Sequence, residues 1–243
     1  MLHRVAHRGY SAVAPENTLP ALAAAARAGA TFVEFDVRCT ADGVPVVIHD
    51  RTVDRTTSGS GRVWDLRADE IATLDAGSWF GPGHAGLRVP TLAEALALLQ
   101  PTSAEILLEI KPPATLDEVK AVIAALAEYD LLDRTVVQSF EADVVRKARQ
   151  LAPEVRRGLL LFRFDAETVE LCRELGVTYC NPSVADVLTG PDTMAALTEV
   201  GVGVMPWTAN DLTRWRPLVD AGVAGLITDY VGELAGWAFD LAM

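Results

Sequence analysis

The chain has 243 residues, of which 50% are hydrophobic and 22% charged, a composition that suits a large buried core and excludes global disorder. Its formal net charge of −12 argues against nucleic-acid binding, which needs Lys and Arg set against phosphates. No apolar run approaches the roughly 18 residues of a membrane-spanning helix.

The N-terminal sequence and the cysteines both bear on the compartment. Residues 1–7 lack the charged start, apolar core and cleavage site of a secretory signal. The cysteines, Cys39, Cys172 and Cys180, are too few and too scattered for a disulfide scaffold or a zinc cluster. We therefore expect free thiols and a cytoplasmic protein.

Short apolar runs alternate with Ala- and Leu-rich amphipathic runs, which predicts alternating strands and helices. The predicted strands cover residues 5–7, 31–37, 45–49, 105–111, 135–140, 158–162, 177–181, 202–208 and 225–229. The predicted helices cover residues 19–28, 91–99, 116–128, 141–151, 166–175, 192–200 and 211–221. This alternation implies a parallel sheet with helical crossovers, and the length suits a single (β/α)8 TIM barrel over residues 1–243. An open doubly wound sheet is the alternative, although no Gly-rich dinucleotide turn follows the first strand.

The third predicted strand does not fit an eight-stranded barrel, because nine strands compete for eight places. The gap between residues 37 and 45 is too short for a helix, and Asp42-Gly43 is a strong signal for a two-residue hairpin turn. In that register Thr40 lies opposite Pro45 and Asp36 opposite His49, which would put His49 beside Asp36. We favour this hairpin over a short, helix-free crossover to a parallel strand.

Residues 51–90 break the alternation of strands and helices. The segments 58–61 (Ser-Gly-Ser-Gly) and 81–83 (Gly-Pro-Gly) are typical of flexible loops. We interpret this stretch as a small insertion over the end of the barrel that carries the functional residues.

Two predicted strands carry charged pairs at alternate positions. Glu34 and Asp36 share one face of their strand, and Glu109 and Lys111 share one face of theirs. The apolar faces pack on helices, so we expect the charged side chains to point into the barrel. Converging buried carboxylates repel one another, and their hard oxygen atoms favour Mg²⁺ or Ca²⁺ as the compensating ion. For one carboxylate alone, a salt bridge is the simpler explanation.

His7 and His49 each close a short strand near the same predicted end of the barrel. Histidine is the side chain best suited to exchange protons near neutral pH, so the two can serve as a general base and a general acid. The alternative for either histidine is a hydrogen-bonded structural role.

Other strand ends supply further candidates. The planar guanidinium of Arg8 can donate two hydrogen bonds to phosphate oxygens, and the ammonium of Lys111 can attract the same phosphate by its charge. Both can also balance the carboxylates. Trp207 is either a wall facing the substrate or part of the core, and for Asp229 we favour a capping or structural role.

Together these residues resemble the glycerophosphodiester phosphodiesterase family. The resemblance spans nearly the whole chain and lies in His7-Arg8-Gly9, Pro15-Glu16-Asn17-Thr18, Glu34-Phe35-Asp36-Val37, Thr40-Ala41-Asp42-Gly43, Val47-Ile48-His49-Asp50, Arg55-Thr56-Thr57-Ser58-Gly59, Pro90-Thr91-Leu92, Glu109-Ile110-Lys111, Ser139-Phe140, Trp207-Thr208-Ala209-Asn210 and Ile227-Thr228-Asp229-Tyr230. No single motif is decisive, but the set in this order is highly specific, and the catalytic positions show no departure from the family pattern.

The resemblance implies that a glycerophosphodiester is hydrolysed to glycerol 3-phosphate and an alcohol. It implies that Glu34, Asp36 and Glu109 hold the metal, that His7 and His49 are the acid–base pair, and that Arg8 and Lys111 bind the phosphate. The alternatives are a related barrel phospholipase of C or D type that acts on lipids, and a catalytically silent ligand-binding barrel. The sequence leaves open the alcohol group, the metal, the division of roles between the histidines, a cyclic phosphate intermediate and the oligomeric state.

Overall fold

The computed structural model describes residues 2–240. Over these residues it contains nine strands, β1 (His3–Ala6), β2 (Phe32–Cys39), β3 (Pro45–Val47), β4 (Glu105–Ile110), β5 (Thr135–Ser139), β6 (Arg156–Leu160), β7 (Tyr179–Asn181), β8 (Gly203–Val204) and β9 (Gly225–Thr228). The helices are α1 (Leu19–Arg27), α2 (Ala68–Ile71), α3 (Leu92–Leu99), α4 (Leu116–Glu128), α5 (Ala142–Leu151), α6 (Ala166–Leu175), α7 (Val184–Thr189), α8 (Pro191–Glu199), α9 (Trp215–Asp220) and α10 (Val231–Asp240).

Eight of these strands form one parallel sheet in the order β8-β7-β6-β5-β4-β2-β1-β9. The two ends of this sheet come together, because Ala224 donates a backbone hydrogen bond to Val204 (2.8 Å) and Ile227 donates one to Pro206 (3.1 Å). The predicted TIM barrel is therefore confirmed, and the doubly wound alternative is wrong. The strand predicted over residues 202–208 is regular only at Gly203–Val204, since Pro206 has no N–H to contribute to a ladder.

The ninth strand, β3, pairs only with β2 and runs antiparallel to it, so the predicted hairpin is confirmed. Its predicted register is wrong by one residue. Cys39 lies opposite Pro45, and Ile48 donates a backbone hydrogen bond to Asp36 (3.0 Å). The turn has three residues rather than two: the Thr40 N–H donates to Val44 (3.1 Å), and Gly43 takes a left-handed φ of 77° that a side chain would strain.

The helices begin where short polar side chains can cap them. Thr91 at α3 and Thr115 at α4 each form a reciprocal capping box with a glutamate three residues later. Asp165 caps α6, which ends at Gly176 in the left-handed conformation. Three helices, α2, α7 and α10, were not predicted. None of the helices over residues 2–240 combines the length and the apolar character that crossing a bilayer requires.

The core is divided by the barrel wall. Outside the wall, two large apolar clusters join the strands to the surrounding helices. Inside it, a smaller cluster gathers side chains from strands all round the barrel: Val5, Phe32, Leu107, Val136, Met205 and Ile227, with Tyr179 packed against them. This apolar plug fills the interior and supports the inward-facing side chains that lie nearer the carboxyl ends of the strands.

Residues 51–90, which the sequence marks as an insertion, have a small core of their own. Val53, Val63 and Ile71 pack there against Val46 and Ile48 of the hairpin arm. The two ends of the segment lie side by side, since Val47 donates a backbone hydrogen bond to Pro90 (2.8 Å) and Val46 bridges Thr91.

Candidate active site

A polar layer lies directly above the apolar plug. Side chains alternate along a strand, so the residue two positions after each plug residue also points inward, nearer the carboxyl end. These second residues are His7, Glu34, Glu109, Gln138, Asn181, Trp207 and Asp229. The same alternation that buries the plug therefore also brings chemically active side chains from seven segments of the chain to one level of the barrel.

A cavity of about 60 Å³ opens on this layer. Seven of the eight predicted site residues line it: His7, Arg8, Glu34, His49, Glu109, Lys111 and Trp207. The eighth, Asp36, is 1% exposed and lies against Glu109, its partner in the pairing of β2 with β4. A larger cavity of about 340 Å³ lies outside the barrel wall, near Trp64 and α4, and neither histidine lines it.

Three buried carboxylates meet beside the 60 Å³ cavity. Glu34, Asp36 and Glu109 each offer an oxygen atom within 4.8 Å of the other two. The backbone N–H of Arg8 donates to Glu34 Oε2 (2.7 Å), and the side-chain amide of Asn17 donates to Asp36 Oδ2 (2.8 Å). These bonds hold the carboxylates close together despite their mutual repulsion.

The pKa values show how unevenly this negative charge is compensated. Burial raises the pKa of Glu34 well above its ordinary value, and the charges of Asp36 and Glu109 raise it further. Burial and Asp36 together raise the pKa of Glu109 to about 7. Burial would also raise the pKa of Asp36, but the nearby Lys111 and Arg8 outweigh it and hold that pKa below its ordinary range.

The donor set suits a divalent cation. The Nζ atom of Lys111 lies 2.7 Å from Glu109 Oε1 and 3.0 Å from Asp36 Oδ1, so one ammonium serves two of the three carboxylates. Carboxylate oxygens are the ligands that Mg²⁺ and Ca²⁺ prefer. The raised pKa values of Glu34 and Glu109 are those of converging groups that still lack counter-charge. The residues present therefore fit such an ion.

Each predicted catalytic histidine has an aspartate partner on the same ring nitrogen. His7 Nδ1 lies 2.7 Å from Asp229 Oδ1, and His49 Nδ1 lies 2.7 Å from Asp50 Oδ1. A carboxylate at Nδ1 favours a proton there, which leaves Nε2 to exchange protons with a ligand. Burial lowers the pKa of His49, which favours its neutral form near pH 7.

Asp229 is itself fixed in position. It accepts hydrogen bonds from the Ser11 hydroxyl (3.0 Å) and from the Asn210 amide (2.6 Å), and its own N–H donates to Asn210 Oδ1 (2.9 Å). The sequence favoured a capping or structural role for Asp229 and gave no indication of its contact with His7.

A chain of ion pairs connects Arg8 to His49. Arg8 Nη1 donates to Glu16 Oε1 (2.7 Å), and Arg55 donates to both oxygens of Glu16 (2.8 Å each). Arg55 also donates to both oxygens of Asp50 (2.7 and 3.0 Å), the partner of His49. Glu16 and Arg55 stand in motifs that carry the family resemblance, which is the signal by which they could have been found.

A tight turn after β1 positions Arg8. Arg8 has a φ of 54°, a conformation that is uncommon for residues other than glycine, and this turn aims its N–H at Glu34. Gly9 follows at a φ of 77°, and a Cβ there would lie 2.6 Å from the backbone of Ala21. Glycine is therefore required where the first strand passes into the site.

Trp207 lines the cavity and contacts two phenylalanines. Its ring is perpendicular to those of Phe140 (centroids 5.4 Å apart) and Phe162 (5.9 Å), which stack on each other at 4.4 Å. Its indole N–H donates to the Asn181 carbonyl (2.8 Å). Of the two interpretations left open by the sequence, the position supports the cavity wall.

Comparisons with known proteins agree on one family. A profile of the Glycerophosphoryl diester phosphodiesterase family matches residues 7–233. A glycerophosphodiester phosphodiesterase of Caldanaerobacter subterraneus is 36% identical over 227 residues, which cover 93% of each chain. One from Bacillus subtilis is 34% identical over 93% of this chain and 83% of the relative.

Solved structures give the same result. A glycerophosphodiester phosphodiesterase of Agrobacterium tumefaciens has a TM-score of 0.85 at 32% identity and covers 97% of this chain and 100% of its own. An Oleispira antarctica phosphodiesterase, solved in complex with the product sn-glycerol-3-phosphate, has a TM-score of 0.90 at 30% identity and covers 98% and 96%.

Proposed function

This chain belongs to the glycerophosphoryl diester phosphodiesterase family, and we propose that it hydrolyses glycerophosphodiesters to glycerol 3-phosphate and an alcohol, with a divalent cation and His7 and His49 as acid and base. The observation that carries the proposal is the convergence, at one small cavity, of two Asp-paired histidines and three buried carboxylates. Two structural histidines would need neither a shared cavity nor carboxylates beside them.

Glu34, Asp36 and Glu109 would hold the cation. When bound, a divalent cation supplies positive charge to offset the negative charge that builds on the phosphoryl oxygens during the reaction. Arg8 and Lys111 line the same cavity and add fixed positive charge toward those oxygens. Ion pairs with Asp36 and its neighbours raise the pKa of Lys111 and of Arg8 despite burial, so both keep their charge at every physiological pH.

The two histidines would move protons at the two reacting oxygens. One Nε2 takes the proton of the nucleophile as the nucleophile bonds to phosphorus. The nucleophile is water, or the 2-hydroxyl of the glycerol itself, in which case water opens the resulting cyclic phosphate in a second step to give glycerol 3-phosphate. The other Nε2 gives a proton to the alcohol oxygen as its bond to phosphorus breaks. Asp229 and Asp50 hold the rings in orientation through their contacts with Nδ1. Either histidine can take either role in this geometry.

The direct test measures glycerol 3-phosphate. The purified protein is incubated with glycerophosphodiesters and Mg²⁺ or Ca²⁺, and the product is detected with glycerol-3-phosphate dehydrogenase. Metal-dependent release of glycerol 3-phosphate is expected. Release of the phosphorylated alcohol would instead support a phospholipase of C type, and faster cleavage of intact phospholipid would support one of D type. No turnover with any diester would support a silent binding barrel.

A further inference from the structure

Phe162 is the most exposed large hydrophobic side chain among residues 2–240, at 75%. It lies two residues beyond β6 and stacks on Phe140, which directly follows β5, with an angle of 16° between the rings. Trp207 is perpendicular to both rings, at 88° and 83°. We call these three residues the aromatic corner. Exposed aromatic surface of this kind, set at a cavity mouth, is typical of a ligand-binding site.

The aromatic corner lies next to the positively charged side chains of the site. Phe140 and Trp207 line the same cavity as Arg8 and Lys111, and Lys111 Nζ lies 5.9 Å from the centre of the Phe140 ring. A phosphate held by Arg8 and Lys111 would therefore have the aromatic corner beside it. One of the two ester groups of the diester would then lie toward these rings.

The aromatic corner offers π-faces and no hydrogen-bonding group. Phenylalanine has none, and the single N–H of Trp207 is already donated to the Asn181 carbonyl at 2.8 Å. A hydroxyl or a primary ammonium placed here would lose hydrogen bonds to water without replacement. A trimethylammonium group has no N–H to lose, and its diffuse charge is attracted by aromatic faces. The net charge of −12 also favours a cationic substituent over an anionic one.

Building on the proposed function, we propose that Phe140, Phe162 and Trp207 form the subsite for the alcohol part of the substrate. This subsite selects an alcohol that ends in a trimethylammonium group, as choline does, over alcohols that end in a primary ammonium or in hydroxyls. Phe162 is its specificity-determining residue, because its ring is highly exposed and does not line the 60 Å³ cavity where the phosphate would lie.

The test compares four glycerophosphodiesters: the choline, ethanolamine and glycerol esters and the 3,3-dimethylbutyl ester, a neutral copy of the choline ester with carbon in place of nitrogen. For the wild type we expect the highest kcat/KM with the choline ester. The 3,3-dimethylbutyl ester has the same shape, so a lower kcat/KM for it isolates the contribution of the charge. Equal values for these two esters would overturn the proposal.

Two variants test the residue. Phe162→Ala removes the ring, and Phe162→Leu keeps apolar surface but removes the π-face. Both should lower the ratio of kcat/KM for the choline ester to that for the glycerol ester, by roughly 3- to 30-fold, the range expected for a cation–π contact of this kind. The matched control is Phe239→Ala, since Phe239 is 66% exposed on α10 and should leave the ratio unchanged.

The failure of this inference can be told from the failure of the proposed function. If wild-type protein with Mg²⁺ or Ca²⁺ hydrolyses none of the esters, the proposed function is wrong. If it hydrolyses all four at similar rates, and Phe162→Ala keeps the same ratio, only the trimethylammonium subsite is wrong.

Discussion

His7 Nδ1 lies 2.7 Å from Asp229 Oδ1, although 222 residues separate the two in the chain. The contact forms because β1 and β9 are neighbours in the closed barrel, with Val5 opposite Ile227 two residues earlier on each strand. Closure of the barrel thus brings the first predicted catalytic residue to its carboxylate partner.

Asp229 should matter to catalysis as much as His7 does. In Asp229→Asn the side chain keeps its size but loses its charge, and its NH₂ can turn toward Nδ1 and move the ring proton to Nε2. We expect kcat to fall by about 10²–10⁴-fold, the range expected when a placed proton-transfer group is disabled. Circular dichroism and metal titration should be unchanged. Asp192→Asn, an exposed aspartate at the start of α8, is the matched control, and equal turnover in both variants would contradict the role.

The two histidines should each be required, and they should not act independently. His7→Ala and His49→Ala should each lose about 10²–10⁴-fold in kcat. The double variant should lose less than the product of the two, because groups that act in one step are not additive. A substrate with a very good leaving group needs little help from an acid, so it should rescue the variant that lacks the acid and not the one that lacks the base. Wild-type turnover in either folded variant would end the assignment.

Removing the metal should abolish activity, and Mg²⁺ or Ca²⁺ should restore it. Glu34→Gln, Asp36→Asn and Glu109→Gln should each weaken metal binding, measured by calorimetric titration, because each removes one charged oxygen donor. Glu128→Gln alters an exposed glutamate at the end of α4 and serves as the control. Full turnover after dialysis into excess chelator would refute the metal requirement.

In the metal-free protein, the contribution of Glu109 to stability should fall as pH rises through the window that its pKa sets. Its carboxyl pKa is about 7 in the folded state against an ordinary value of 4.5, so between these pH values the folded protein keeps a proton that the unfolded chain has lost. The contribution of Glu109 to the free energy of unfolding therefore falls as pH rises from about 4.5 to 7. Glu109→Gln lacks this contribution. In chelator, the Tm of the variant minus the Tm of the wild type should therefore increase as pH rises from about 4.5 to 7. A constant difference in Tm would disprove the coupling.

Small diesters should be better substrates than membrane lipids. The cavity lined by His7 and His49 holds about 60 Å³, and the insertion predicted over residues 51–90 is short. We expect faster release of glycerol 3-phosphate from deacylated glycerophosphodiesters than of any phosphate ester from intact phospholipids in vesicles. Measurements at equal substrate concentration test this, and faster cleavage of the vesicle lipid would reverse the preference.

The part of the site that depends on local periodicity could be predicted from the sequence. Glu34 with Asp36, and Glu109 with Lys111, follow from alternation along a strand and from the position of both pairs near a strand end. The barrel follows from the alternation of strands and helices. Both rules need only neighbouring residues.

The rest depends on segments that meet only in the folded chain. The position of His49 depends on a turn of three residues where two were predicted, and a shift of one residue exchanges the faces of a strand. The Arg55–Glu16 ion pair joins residues 39 apart, and no local pattern indicates it. The aromatic corner requires the ends of three separate strands to be placed first.

The hydrogen bond between Val47 and Pro90 brings together the two ends of residues 51–90, so this segment can differ among members of the family. The segment between them starts after β3, which lies outside the barrel, and ends before α3, and its two ends lie side by side. Its length can therefore change without moving a barrel strand, and the entropy of closing a longer loop there grows only slowly. The barrel and this segment can therefore vary separately. Replacing residues 51–90 with a longer segment should therefore redirect substrate choice while the chemistry underneath stays the same, provided that the new segment returns Arg55 to Asp50 and Glu16.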